Sequence, residues 1–572
     1  MKPLRLLTIA SLAVFAIMAA SDTPKTILEL QPFRHTSSIR IGPGSGRTVT
    51  LINLNPTINI WYVLTVEAQE GGPELSYHLE NPKPETRKVV LDDKVPTGLV
   101  IIEGGNRLAC DLFGSSRTLD QARNSRIPFY PLCESRLFLR NPTTGHRTTL
   151  EATAEFLRDH VWNGERVLSA GHYIMGDRYR ETGKIQATAP ASAADGVSPS
   201  DLPLPALIDS KYSTQGLTSG NFGIALENPP PGGMTPGAWY GSAGNRGVYV
   251  SLIQPNLIAA ELLQSHKSKV NNLDSVEASA LCYLVAFDLD QFDLAYALGT
   301  DHPRVVWSDR TLTQVRDPNL PGPDGIAGVS PLVSTGLLSP FTAPQTIAVF
   351  TAGFKRAHGA FRYGDLAQVN HGSHYGFIEN GVVFSKLQPG LATILVLDNG
   401  AVVMKTWEVA DDQLLMRVKY ARQNGVALVE FDAASQAGVP GRLVNRWGPG
   451  NWAGSEEMKL RTMRSGLAMQ TNHGKHFLIY AVFSDATPSA MARVFQAYRC
   501  DYAMLLDMNA LEHTYLGLYR RSGSQLILDH LVKGMSELDK LTDGELVPRF
   551  IGYPDNRDFF YVMRRKHAEV KR

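Results

Sequence analysis

The stretch from His476 to Asp507 constrains the fold more tightly than any other part of the chain. His476 to Phe483 is a nearly unbroken apolar run that reads as a strand. Asp485, Ala486, Thr487 and Pro488 then bring an N-cap and a proline at the first helical position. Met491, Val494, Phe495 and Tyr498 recur at helical spacing and give one buried face. After Cys500 and Asp501, a second run from Tyr502 to Leu506 ends on Asp507. Strand, helix and strand in that order make a crossover unit, and ligands gather where the strands of such sheets end. Asp507, followed by Met508, Asn509, Glu512 and His513, is therefore the leading candidate site.

Three further runs have the same texture: Gly247 to Ile253, Leu281 to Phe287, and Thr346 to Phe350. Near-continuous apolar strands imply a sheet covered on both faces. Ile394 to Leu397, a turn at Asp398, Asn399 and Gly400, and Ala401 to Met404 read as a hairpin. A helix is predicted from Asp411 to Gln423, stopped by Asn424 and Gly425.

The N-terminal part differs. Thr48 to Ile52, Ile60 to Leu64 and Leu99 to Ile102 are short β-branched and aromatic runs, which predict a β-rich, sandwich-like domain over residues 22–185. Thr148, Thr149, Leu150 and Glu151 form a capping box before the one helix predicted there. Residues 186–206 are rich in Ala, Pro and Ser and read as a linker; residues 207–535 form the second domain and residues 536–572 an extension. Lys2 and Arg5, the apolar run Leu6 to Ala20, and small residues at the exit describe a signal peptide over residues 1–21. Export to the periplasm or outside the cell is expected, with no membrane span after cleavage. The 56 basic and 55 acidic residues nearly cancel, so no global field favours nucleic acid. Export permits disulfides: Cys110 and Cys133 make a plausible local bridge, whereas Cys282 and Cys500 either pair or stay as buried thiols.

Known catalytic signatures are missing: the sequence has no His-Glu-x-x-His, no Gly-x-Ser-x-Gly and no Walker loop. His371 and His374 are three apart, but Gly372 and Gly376 argue for a loop, so neither a metal nor a cofactor is expected. Thr351-Ala352-Gly353-Phe354, then His374-Tyr375-Gly376-Phe377, then Arg464-Ser465-Gly466-Leu467, then Leu506-Asp507-Met508-Asn509 occur in an order that resembles the phosphodiester glycosidase family. The resemblance covers residues 240 to 525. It implies a mixed α/β (α+β) catalytic domain following the β-rich one, and a carbohydrate or glycosyl-phosphate substrate. Thr351 and Ala352 stand where the family has Asn and Gly, and Met508-Asn509-Ala510 replaces a triple glycine.

Glycosyl transfer to water asks for a carboxylate at the anomeric carbon and a proton donor at the leaving oxygen. Asp507 is expected to be that carboxylate, with His374, His513 or Glu512 handling the proton. Arg464 is expected to fork onto phosphate oxygens and to share one cleft with Asp507. Asn509, Gly353, Phe354, Tyr375 and Ser465 are the expected substrate contacts, and Trp447 and Trp452 a sugar-stacking rim. The expected function is an exported glycosyl hydrolase; the alternative is a carbohydrate-binding or envelope protein that kept the fold without the chemistry.

Overall fold

The computed structural model describes residues 25–41, 47–67, 74–95, 98–112, 118–160, 180–186, 198–446, 461–522 and 525–565. The predicted signal peptide, the middle of the predicted linker, Trp447 and Trp452 lie outside them.

Strand outweighs helix, 40% against 18% of the described residues, and the named strands pair antiparallel throughout, so the mixed α/β expectation holds only as a mostly β architecture. An eight-stranded sheet carries the crossover unit. Lys475–Ala486 leads into the helix Pro488–Ala497, and the chain returns as Tyr502–Met508. These two strands run parallel because Thr462–Asn472 lies between them and pairs antiparallel with both. The helix is capped by Thr487, whose hydroxyl accepts from the Ala490 amide at 3.2 Å. One buried face was expected, but the helix is buried all round. Leu202, Ala206, Leu262 and Leu263 pack on this layer, and Arg493 donates to the carbonyl of Leu262 at 2.8 Å. Residues 202–206, in the stretch read as linker, therefore belong to this layer.

The second face of the large sheet meets a five-stranded sheet ordered Phe292–Ala297, Phe559–Arg564, Thr346–Thr351, Leu516–Ser522, Gln525–His530. Phe559–Arg564, from the stretch read as a C-terminal extension, sits inside this sheet and contributes buried core residues. A third sheet contains the expected hairpin, Ala392–Leu397 with Val402–Thr406. It also corrects the helix predicted over 411–423: the chain forms a 3-10 helix at Val409–Arg417 and then a strand, Val418–Gln423. That strand pairs with neighbours on both sides, and tertiary pairing overrides the helical tendency of its sequence.

The N-terminal part is β-rich as expected. A six-stranded and a three-stranded sheet share a core of Leu51, Leu64, Leu79, Leu99 and Ile101, and Cys110 is bonded to Cys133. Cys282 and Cys500 are buried free thiols. Trp61 and Val63 join the main core instead, with the Trp61 and Phe384 rings 5.9 Å apart. Buried Arg140, paired with Glu80 of its own sheet, reaches across the same seam to the Val333 carbonyl at 3.3 Å and to Glu379 at 4.0 Å. The two halves therefore share one apolar interior. No helix among the described residues is long and apolar enough to cross a membrane.

Candidate functional site

The C-terminal ends of Thr346–Thr351, Phe292–Ala297 and Tyr502–Met508 and the N-terminal ends of Phe559–Arg564 and Leu516–Ser522 converge at one end of the stacked sheets. Residues 555–558 run through this end. Their backbone is clasped by residues 299–301: the Thr300 amide donates to the Asp555 carbonyl at 3.1 Å and the Asp301 amide to that of Asn556 at 3.1 Å. Gly299 permits the approach, since a Cβ there would lie 2.3 Å from the Arg557 carbonyl carbon.

Arg557 is the hub. It donates through Nη1 to Asp507 and through Nη2 to Glu151 Oε1 at 2.9 Å and to His513 Nε2 at 2.7 Å. Its Nε is buried with no hydrogen-bond partner among the described residues. Glu151 Oε1 also receives Lys355 Nζ at 2.9 Å and Asn556 Nδ2 at 3.1 Å, so donors from three residues converge on a single oxygen. Lys355 in turn holds Glu155 at 2.9 Å and Asp301 at 3.0 Å, and Arg147 closes the ring on Asp301 at 2.6 Å. The side chains of Asp507, Arg557, Glu151 and Lys355 are 5%, 2%, 4% and 6% exposed, so the inner part of the cluster is sealed, while Glu155, Asp301 and Arg147 form its solvent-facing rim. Charges taken that far from water persist only when paired.

Burial pushes the Asp507 carboxyl up to about 6 against the pull of Arg557. Burial acts in the same direction on Glu151, but Arg557 and Lys355 outweigh it and hold that carboxyl far below the usual range. His513 donates Nδ1–H to the Met508 carbonyl at 2.6 Å, the tautomer that leaves Nε2 to accept from Arg557. Burial and the neighbouring guanidinium keep the ring neutral, well below the ordinary histidine range.

Glu151 comes from the N-terminal half. The predicted capping box forms on one side: the Glu151 amide donates to Thr148 Oγ1 at 3.0 Å at the start of the helix Thr149–His160. Its carboxylate, which a capping box would turn back to the helix N-terminus, extends instead into the cluster. The approach is fixed by His146, whose amide donates to the Pro554 carbonyl at 2.9 Å.

Of the residues expected from sequence, Asp507 and His513 meet in this cluster. Ser465 donates to the Asp507 carbonyl at 2.9 Å. The Glu512 carbonyl accepts from Arg549 at 2.8 Å, while its carboxylate lies 3.5 Å from the Thr148 hydroxyl. Asn509 adopts φ +84° and donates its amide to the Met463 carbonyl at 2.8 Å, closing the turn after the strand. Gly353 and Phe354 lie one layer away. The Phe354 amide donates to Asn424 at 3.1 Å, and its carbonyl accepts from Arg422, which pairs with Asp558 at 2.6 Å. A Cβ on Gly353 would sit 2.8 Å from Arg422. His374 and Tyr375 belong to this outer layer: His374 packs against the Tyr375 ring at 4.7 Å, and Arg356 and Arg422 lie over that ring. Burial, aided by Arg422 and Arg356, holds His374 neutral.

Arg464 does not share the cluster. Its Nη1 lies 2.9 Å from the Met508 sulfur, a side chain in the core layer shared with Met491 and Phe495 of the helix Pro488–Ala497. Its Nε donates to the Ala486 carbonyl at 2.8 Å, and burial lowers its basicity to about 10. Asp507 faces the other way. The register slips between Arg464 opposite Met508 and Gly466 opposite Leu505, a bulge that re-aims the strand end. The guanidinium beside Asp507 is Arg557, which the sequence reading missed along with Lys355 and Glu151. The available signal was the dense polar run Asp555 to Asp558 directly before a strongly apolar strand. Among the described residues no group of His, Cys, Asp and Glu is placed to hold a metal.

No family model matches the chain, and no curated protein matches it significantly. Solved structures that resemble it include a Burkholderia pseudomallei protein assigned to export, 11% identical, covering 88% of this chain and 74% of that chain at a TM-score of 0.16. Another is the zebrafish N-acetylglucosamine-1-phosphodiester alpha-N-acetylglucosaminidase catalytic domain auto-inhibited by pro-peptide, 9% identical, covering 56% of this chain and 85% of that chain at a TM-score of 0.27. The chain is thus a weak structural neighbour of a phosphodiester glycosidase catalytic domain, at a level that fixes neither its fold nor its activity.

Proposed function

We propose that the chain is an exported hydrolase that cleaves a glycosyl bond next to an anionic group, a sugar phosphodiester being the class that fits best. The observation that carries this reading is the convergence of Lys355, Arg557 and Asn556 on one oxygen of Glu151. Two cations and an amide aimed at one oxygen form a preorganised oxyanion cradle, beside an acid that burial pushes up to about 6. A phosphate leaving group is a weak base, so its departure needs charge neutralisation more than protonation. Arg557 and Lys355 supply that, in the role expected of Arg464. Asp507 serves as the carboxylate at the anomeric carbon or as the base toward water. The Glu151 carboxylate occupies the cradle, so turnover requires the helix Thr149–His160 to withdraw. The Cys110–Cys133 bond supports export, because such bonds persist in oxidising compartments.

The test is release of sugar from UDP-N-acetylglucosamine or a methyl sugar-1-phosphodiester by the purified chain and by Glu151→Ala. Activity should rise in Glu151→Ala and fall by roughly 10²–10⁴ in Asp507→Asn. Activity that survives Asp507→Asn would remove the acid from the mechanism. The second reading, a binding protein without chemistry, is favoured by the sealing of Asp507 and by the Cβ-bearing Met508 and Asn509 at the strand end. Ligand binding without hydrolysis in every variant would establish it.

A further inference from the structure

A separate cleft of about 420 Å³ opens at the other end of the Tyr502–Met508 strand, where the eight-stranded sheet meets the edge strand Val402–Thr406. It lies six residues from Asp507 along the strand, roughly 20 Å at the rise of extended chain. That volume falls within the range typical of small-molecule sites.

Its walls carry both kinds of hydrogen-bonding group. Thr406 Oγ1 lies 3.0 Å from Glu430 Oε1 and 3.0 Å from the Tyr502 hydroxyl, forming a short polar chain along one wall. Asp501 adds a second carboxylate, and Lys405 adds an ammonium already paired with Asp411 at 2.6 Å. Met404 and Met469 provide apolar lining, and Phe431 stands 50% exposed at the lining of the cleft. An anion would meet two carboxylates. A cation would meet Lys405. A wholly apolar ligand would leave the carboxylates and hydroxyls without partners. A neutral polyol with one apolar face satisfies the set: Tyr502 donates to Thr406 and Thr406 to Glu430, so ligand hydroxyls would donate to Glu430, Asp501 and the Tyr502 oxygen, with the ligand's C–H face on the Phe431 ring.

We infer that this cleft binds a neutral saccharide ring stacked on Phe431, at a site distinct from the Asp507 cluster. The inference does not rest on the chain being a hydrolase. Saturation-transfer NMR with free N-acetylglucosamine, glucose and choline on the full chain tests it. A sugar should receive saturation, Phe431→Ala should weaken its binding by ~10-fold, and Phe431→Tyr should keep it. Phe431 is half exposed, so both variants are expected to fold, and matching thermal melts would check that. Saturation of choline alone, no saturation of either sugar, or equal sugar binding in Phe431→Ala would each overturn the inference. Failure here leaves hydrolysis of a phosphodiester untouched, because the two assays read different ends of the strand.

Discussion

Replacing Glu151 by Gln keeps the shape of the side chain and removes its charge, so it isolates what the carboxylate contributes to the sealed cluster. Glu151 Oε1 receives Lys355, Arg557 and Asn556 within 3.1 Å. Breaking a buried ion pair outright costs about 3–5 kcal/mol, because a charge is left unpaired in low dielectric. Here each cation keeps another carboxylate: Lys355 retains Glu155 and Asp301, and Arg557 retains Asp507. The loss should therefore fall below that range, at about 2–3 kcal/mol. The pH dependence gives a second handle. Arg557 and Lys355 hold the folded-state carboxyl of Glu151 far below its unfolded value, against the opposing effect of burial. The unfolded chain thus takes up the proton first as pH falls. The stabilisation is fully present above the unfolded carboxylate range, near ~4.3, and disappears as pH drops below it. Urea unfolding followed by tryptophan fluorescence, with Trp61, Trp239 and Trp407 buried in the core, reads both quantities. Equal urea midpoints for wild type and Glu151→Gln at pH 7, or a gap that does not shrink toward pH 3, would refute the pairing.

Other outcomes follow from the same geometry. Asp507 has the opposite sign: burial raises its carboxyl to about 6 despite Arg557, so folding takes up a proton and the cost of ionising it grows as pH rises from about 4 through 6. Asp507→Asn should remove ~3 kcal/mol of that pH dependence from the stability curve, measured by denaturation between pH 4 and 7. Gly466→Ala would place a Cβ 2.9 Å from Met491 Cε and 3.0 Å from the Phe495 ring, and should cost ~1–3 kcal/mol in urea unfolding, toward the lower end because Met491 can yield. Cys110→Ser opens a loop spanning 23 positions and should lower stability by about 3 kcal/mol; an unchanged melting temperature would mean that the bond constrains nothing.

What the sequence conveyed was local. The crossover unit from Lys475 to Met508 was legible because apolar runs, a cap and a helical period lie side by side. The insertion of Thr462–Asn472 between its two strands was not, since it depends on pairings that no short window contains. The strand Val418–Gln423 was read as helix for the same reason: its state is set by partners on either side. Asp507 and His513 were legible as neighbours because a strand end announces itself, and both side chains meet Arg557. Arg557 and Glu151 were not, being 406 residues apart in sequence and 2.9 Å apart in space. Arg464 was misassigned because period-2 alternation around a bulge decides which face a side chain takes, and the bulge has no sequence marker here.

The central claim is that Lys355, Arg557 and Asn556 form an anion cradle held closed by Glu151. Calorimetric titration of inorganic phosphate into Glu151→Ala measures it directly. The account predicts one phosphate bound per chain, at least ~10-fold tighter than in wild type and lost again in Glu151→Ala combined with Lys355→Met. Phosphate binding no tighter in Glu151→Ala than in wild type, or undiminished by Lys355→Met, would contradict it.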